Sequence, residues 1–152
     1  MNGPACANAY FIPPRRLRTH LRAAAERGVE VRVVANSKTS TDSAPVYYAG
    51  LNFYKEFIGG GVQIYEYQGD QTLHSKVMLI DEEVALVGSY NLDPRSAIDN
   101  SESMVLIRDS AAVDDLHYAL QQDLANATLA TDDIPWSELA KARLHRVVEP
   151  LL

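Results

Sequence analysis

Residues 73–91 read LHSKVMLIDEEVALVGSYN and set a histidine, His74, two positions before a lysine, Lys76. On a β-strand, side chains two apart point to the same side, so the imidazole and the ammonium share one face. The apolar run from Val77 to Ile80 that follows reads as a central strand with both faces covered. An ammonium entering such a sheet is costly unless an opposite charge or an acceptor meets it. A phosphate suits the pair: Lys76 neutralises charge while His74 does the chemistry. Gly88, Ser89 and Asn91 lie at the end of the next strand. Glycine allows close approach to the backbone, and the serine hydroxyl and asparagine amide can donate to phosphoryl oxygens. Together these parts form a charge-neutralising cradle around a nucleophile, which is what phosphoryl transfer requires. A lone histidine is usually an ordinary hydrogen-bonded residue, and His-x-Lys alone carries no signal. His74, Lys76, Asp81, Gly88, Ser89 and Asn91, six residue types at fixed spacing in a strand–turn–strand pattern, do.

The flanking sequence supplies the elements that must hold this cradle. AYFIPP reads as a strand end meeting two prolines. RRLRTHLRAAAERG follows as a helix with Leu17, Leu21 and Ala24 on its buried face and Gly28 as its stop. Arg15, Arg18 and Arg22 line another face; a solvated surface is the plain reading and a contact for anionic headgroups the sharper one. VEVRVVAN is a strand, TSTDSAP a loop, and VYYAGLNFYKEFIGGG one helix whose aromatics are core, with one or two tyrosines free to line a pocket. VQIYEY alternates as a strand. LHSKVMLID and VALVG form a hairpin through EE, NLDPRSAIDN is a loop or short helical turn, and SESMVLIRD is a further strand. Two helices close the chain, SAAVDDLHYALQQDLAN with Leu116, Leu120 and Leu124 on one side, then residues 136–147. Strands interleaved with long helices predict an α/β fold, a mixed sheet covered by helices, in a single domain over 1–152.

Composition fits that reading. The 152 residues are 47% hydrophobic and 22% charged, ordinary for a globular domain. Cys6 is the sole cysteine, which excludes an internal disulfide and offers no thiol metal cluster. The net charge of −6 argues against non-specific nucleic-acid binding. Residues 1–40 nonetheless hold seven Lys/Arg against two acids, and the remainder seven against eighteen. No stretch reaches the length of a membrane span, and MNGPACANAY lacks the pattern of a signal peptide.

The spaced residues resemble the HKD signature of the phospholipase D superfamily. YFIP, GVEVRVV, GVQIYEY, LHSKVMLID, ALVGSYNLDPRS, NSESMVLI and the terminal PLL are similar to the C-terminal half of bacterial cardiolipin synthases. The resemblance implies a phospholipase D-like fold, one HKD half, and a phosphohistidine intermediate. In that superfamily one histidine attacks the phosphodiester and a second protonates the leaving alcohol, then activates water or an acceptor alcohol. His74 matches one of the two, and Lys76 matches the phosphate-binding lysine. Ser89 and Asn91 match residues that hold the phosphoryl group. Asp81 and Gly88 match structural positions of the motif, the aspartate through ion pairing. Glu102 falls where the family has an acid bonded to the histidine; such a carboxylate fixes the tautomer and stabilises the cation. Neither a metal nor a cofactor is implied, because Lys and His supply the positive charge. His20, His117 and His145 receive no chemistry, and Arg95 is divided between a substrate contact and an ion pair with Asp93 or Asp99.

The resemblance also implies what one half lacks, since the family site joins two HKD motifs and this chain has one. Either two copies pair symmetrically, or the chain belongs to a longer protein, as its start at MNGPACANAYFIP suggests; either way the partner-facing surface of a lone half is exposed. The leading reading is a phosphatidyltransferase acting on an anionic, phosphatidylglycerol-like phospholipid at a bacterial membrane surface, bound peripherally. The alternatives are a homodimeric, metal-independent endonuclease of the same superfamily, with the acidic charge making nucleic acid the lesser partner, and an inactive fragment or interaction module.

Overall fold

Strands β1 (Pro4–Asn8) and β2 (Arg32–Asn36) lie parallel at the centre of the molecule, and both end in Ala-Asn. The computed structural model describes residues 3–145. β3 (Gln63–Tyr67) extends the sheet in parallel beyond β2, and β7 (Ala127–Leu129) pairs antiparallel outside β3. On the other side, β4 (Lys76–Ile80), β5 (Val84–Gly88) and β6 (Met104–Ile107) add antiparallel strands. The result is a mixed seven-stranded sheet in the order β6-β5-β4-β1-β2-β3-β7.

Helices cover both faces, as the α/β reading expects. α1 (Arg15–Glu26), α2 (Ala44–Leu51), α3 (Tyr54–Gly59) and α6 (Trp136–His145) pack with Cys6, Val33 and Ile64 on one side. α5 (Ser110–Ala125) packs with Ala5, Ala7, Val34, Leu79 and Ala85 on the other. The alternation of neighbours such as Val33 and Val34 between faces explains why the middles of the central strands are apolar on both sides. Leu21 of α1 is buried and Leu17 and Ala24 pack beside it, while Leu120 of α5 is buried with Leu116 and Leu124 flanking. Both follow the helical spacing read from the sequence.

Several boundaries differ from expectation. The first strand is Pro4–Asn8, and Phe11 contributes only an isolated bridge to Leu92. The stretch expected as one helix is two, α2 and α3, broken at Asn52 and Phe53. Asn52 folds its amide back onto the carbonyls of Tyr48 and Ala49 and donates to Ala142 of α6, so a tertiary partner ends the helix. β7 is too short, at three residues, to leave an alternating pattern. α4 (Pro94–Ile98) is the short turn foreseen in NLDPRSAIDN, with Asp93 accepting from the Ser96 amide at 2.7 Å. The end of the last helix to 147 and the terminal PLL lie outside the described residues. Among the described residues no helix is long and apolar enough to cross a membrane.

Candidate active site

The topology gathers His74, Lys76, Gly88, Ser89 and Asn91 toward one end of the sheet and leaves Asp81 at the other, in the turn between β4 and β5. Asn8, the last residue of β1, pairs with Lys76, the first of β4. Gly88, the last of β5, pairs with Met104, the first of β6. His74 lies in the extended segment entering β4 rather than on the strand itself. Its side chain still meets that of Lys76: the ammonium is 3.5 Å from Nδ1 and 3.4 Å from Nε2, and donates to the His74 carbonyl at 3.1 Å. The imidazole is exposed and the lysine half-buried. Burial pulls the Lys76 pKa below the ordinary lysine value, against the carboxylates of Glu102, Asp93 and Asp42, which favour the ammonium.

Glu102 ties the opposite wall together. It accepts from the hydroxyl of Ser89, from Ser96 Oγ at 2.8 Å and from the Asn100 amide at 3.1 Å. Those bonds, with Ser89 first, hold its carboxyl below the usual glutamate range, and the charge of Lys76 assists. Expected to bond the histidine, Glu102 instead holds Ser89 and reaches Lys76 through its field. The reason is geometric: Glu102 precedes β6, which pairs with β5, so its nearest donors are those of the β5–α4 turn. Ser89 Oγ also accepts from the Ser103 amide at 3.0 Å. In Asn91 the backbone N–H donates to Ser96 Oγ at 3.2 Å, while Oδ1 is buried with no hydrogen-bond partner. The orphaned atom is an acceptor, so it calls for a donor, such as a hydroxyl or an N–H group, rather than for an anion.

Gly88 and Asp81 act through the backbone. A Cβ on Gly88 would overlap the carbonyl oxygen of Ser103 and lie 2.6 Å from Met104 Sδ, so what approaches this glycine is β6, where a ligand was expected. Asp81 and Glu82 have φ of 54° and 58°, and Glu83 N donates to the Ile80 carbonyl at 3.1 Å. Such a turn, with two positive φ values, matches the twist of a hairpin. Asp81 meets no cation among the described residues. In place of the expected ion pair, it serves as a turn residue that tolerates a left-handed backbone.

Two positioning residues escaped the sequence reading. Asn36, 5% exposed at the end of β2, donates to the carbonyls of Ala9 and Leu73 at 3.0 and 2.9 Å. It accepts from the Leu73 amide at 2.9 Å and from Ser40 Oγ at 3.1 Å. Asn36 therefore fixes the residue immediately before His74. Asn8, 3% exposed, accepts from the Leu92 amide at 3.0 Å and donates to the Tyr90 carbonyl at 3.3 Å, which fixes the segment carrying Asn91. Two strands ending in the same dipeptide at the carboxyl edge of a parallel pair were the available signal, since ligands sit at that edge of such sheets.

An apolar groove of about 310 Å³ runs from Lys76 across this wing, lined by Leu17, Met78, Leu86, Tyr90 and Met104. Beside it the edge strand β6 exposes Met104, Val105 and Leu106 at 41%, 61% and 56%. The remaining histidines lie elsewhere: His117 is 3.8 Å from Glu82, His145 stacks on Tyr48, and His20 is exposed on α1. Arg95 is exposed and meets no carboxylate among the described residues. Tyr47 and Tyr54 do line a cavity, of about 170 Å³, with Glu66, Ile134 and Glu138.

Known proteins resemble the chain in sequence and in fold. The family model described as cardiolipin synthase, PLD-like domain, matches residues 5–124. The probable cardiolipin synthase YwiE of Bacillus subtilis is 39% identical over 118 residues, which are 78% of this chain and 23% of that protein. The chain thus spans about a quarter of that relative. The phospholipase D family member Nuc from Salmonella typhimurium superposes with a TM-score of 0.72 at 20% identity, covering 86% of this chain and 83% of Nuc. Phosphatidylserine synthase of Haemophilus influenzae superposes with a TM-score of 0.74 at 17% identity, covering 100% of this chain and 42% of that one. By sequence, the chain belongs to the cardiolipin synthase, PLD-like domain family.

Proposed function

We propose that the chain is one HKD half of a phosphatidyltransferase that works through a phosphohistidine. The observation that carries this reading is the contact of the Lys76 ammonium, 3.4–3.5 Å from the ring nitrogens of His74, at an open end of the sheet. In the proposed reaction a nitrogen of His74 attacks the diester phosphorus. The nitrogen–phosphorus bond forms as the bond to the leaving alcohol breaks, and that alcohol takes a proton from the histidine of a second half. An acceptor alcohol then attacks phosphorus, gives its proton to the same second histidine and releases His74. Lys76 and the side-chain N–H groups of Asn91 offset the charge that gathers on the phosphoryl oxygens, while Ser89, its hydroxyl donating to Glu102, holds that carboxylate in the wall of the site.

The apolar groove leading from Lys76 supports a lipid diester over a nucleic acid, as does the net charge of −11 over residues 41–152. A second half is supported by the exposed apolar edge at β6, a surface that folded chains usually cover. The test is turnover of phosphatidylglycerol vesicles at rising protein concentration, with lipid products separated by chromatography. The expected rate climbs more steeply than linearly with protein and vanishes in His74→Asn. Turnover surviving in His74→Asn, or absent at every concentration, overturns the reading.

A further inference from the structure

A lipid phosphodiester lies in a bilayer, and a chain of net charge −6 is repelled by an anionic one. The positive charge is concentrated at α1, whose arginines divide into two sets. Arg18 and Arg22 turn onto the protein: both pair with Glu56, at 3.6 and 3.1 Å, and Arg18 lies over the Phe53 ring at 4.3 Å. Arg15, Arg16 and Arg27 are exposed and meet no carboxylate among the described residues. Arg27 donates to the Ala23 carbonyl at 2.7 Å, which spreads its guanidinium along the last turn. Arg16, His20, Ala23 and Arg27 recur at steps of three and four, and so form one stripe along the helix. Leu17, next to Arg16, lines the groove that holds Lys76. The stripe therefore begins beside the candidate site.

We propose that the exposed surface of α1 formed by this stripe and by Arg15 beside it, with Arg15, Arg16 and Arg27 as its cations, docks on anionic lipid headgroups. The contact sets the groove toward the bilayer while the acidic remainder of the chain turns away. The proposal rests on the lipid-substrate reading above and adds the surface through which the lipid is met. Three cations orient a protein rather than anchor it, since each basic residue near an anionic surface is worth about fivefold in partitioning.

The test measures binding of the full chain to phosphatidylcholine vesicles with and without phosphatidylglycerol, at low and raised salt. The variant R15Q/R16Q/R27Q is compared with K55Q/R108Q/R143Q, which removes three exposed cations elsewhere, so the net charge changes equally. Native protein is expected to prefer the anionic vesicles and to lose that preference as salt rises. The α1 variant is expected to lose roughly a hundredfold and the control little. R15Q/R16Q, which leaves the Arg27–Ala23 contact intact, is expected to lose about 25-fold. Equal binding to both vesicle types overturns the proposal, as does an equal loss in the control or tighter binding of duplex DNA than of vesicles at the stripe. Loss of stripe-dependent binding with His74-dependent turnover of a short-chain, soluble phosphatidylglycerol intact sinks the docking surface alone; stripe-dependent binding without turnover upholds it and sinks the catalytic reading.

Discussion

Replacing Asn36 by alanine removes the clamp on the segment that delivers His74. The amide serves four groups: the carbonyls of Ala9 and Leu73, the Leu73 N–H and the Ser40 hydroxyl. Ala9 and Leu73 are 4% and 6% exposed, so water does not reach the abandoned groups without local opening. A buried donor or acceptor left unmatched costs about 1–3 kcal/mol, and carbonyls tolerate it better than N–H groups. Counting the Leu73 N–H and one carbonyl gives a loss of roughly 2–4 kcal/mol. A domain of this kind has about 5–15 kcal/mol in total. With a urea dependence of about 2 kcal/mol per molar, the midpoint should fall by about 1–2 M. Hydrogen exchange at the Leu73 amide should quicken, and any His74-dependent turnover should fall by more than the unfolded fraction explains. Asn36→Asp keeps the acceptor for Leu73 and Ser40 but sets a carboxylate against two carbonyl oxygens, so its defect should ease in acid. A midpoint for Asn36→Ala within about 0.3 M of the parent, with Leu73 protection unchanged, would refute the clamp.

Three further outcomes follow from the site's backbone and charges. Gly88→Ala should force β6 away from β5 at the Ser103 carbonyl, at a cost of about 2 kcal/mol or more in urea unfolding, with loss of exchange protection at the Ser103 amide. Asp81→Ala should cost about 1 kcal/mol through its left-handed backbone and Asp81→Asn almost nothing; an equal loss in both would restore a role for the carboxylate charge. Glu102 has its carboxyl pKa lowered in the folded state by Ser89, Ser96 and Asn100. Its contribution to stability is complete above the unfolded value of about 4.3 and is lost as pH falls through the folded one. The stability gap between parent and Glu102→Gln should therefore shrink in acid below about pH 4, and a gap that widens there contradicts the assignment.

The sheet was legible where burial writes a pattern. Val33 and Val34 are adjacent apolar residues because both faces of their strand are covered, Ile64 is legible from the alternation of VQIYEY, and Leu17, Leu21 and Ala24 show the spacing of a one-sided helix. The break between α2 and α3 was not legible, because it depends on Asn52 reaching Ala142 ninety residues away. Nor was β7, whose three residues exist by pairing with β3. At the site, residue types and spacing pointed to the pairing of His74 with Lys76, whose side chains meet. They misdirected the partners of Glu102, Gly88 and Asp81, since those depend on how β6 lies on β5 and how the hairpin turns. Asn8 and Asn36 were overlooked because an asparagine ending a strand looks like any turn residue until its bonds to distant backbone are known.

The central claim is that His74, supported by Lys76, becomes covalently bonded to phosphorus. Rapid acid-free quenching of the chain with phosphatidylglycerol vesicles, followed by peptide mass spectrometry, tests it most directly. The account predicts a phosphatidyl adduct on the peptide carrying His74, labile to acid, growing with protein concentration as two halves meet, and absent in Lys76→Ala. An adduct on any other residue, or product formed with His74 unmodified throughout, would contradict it.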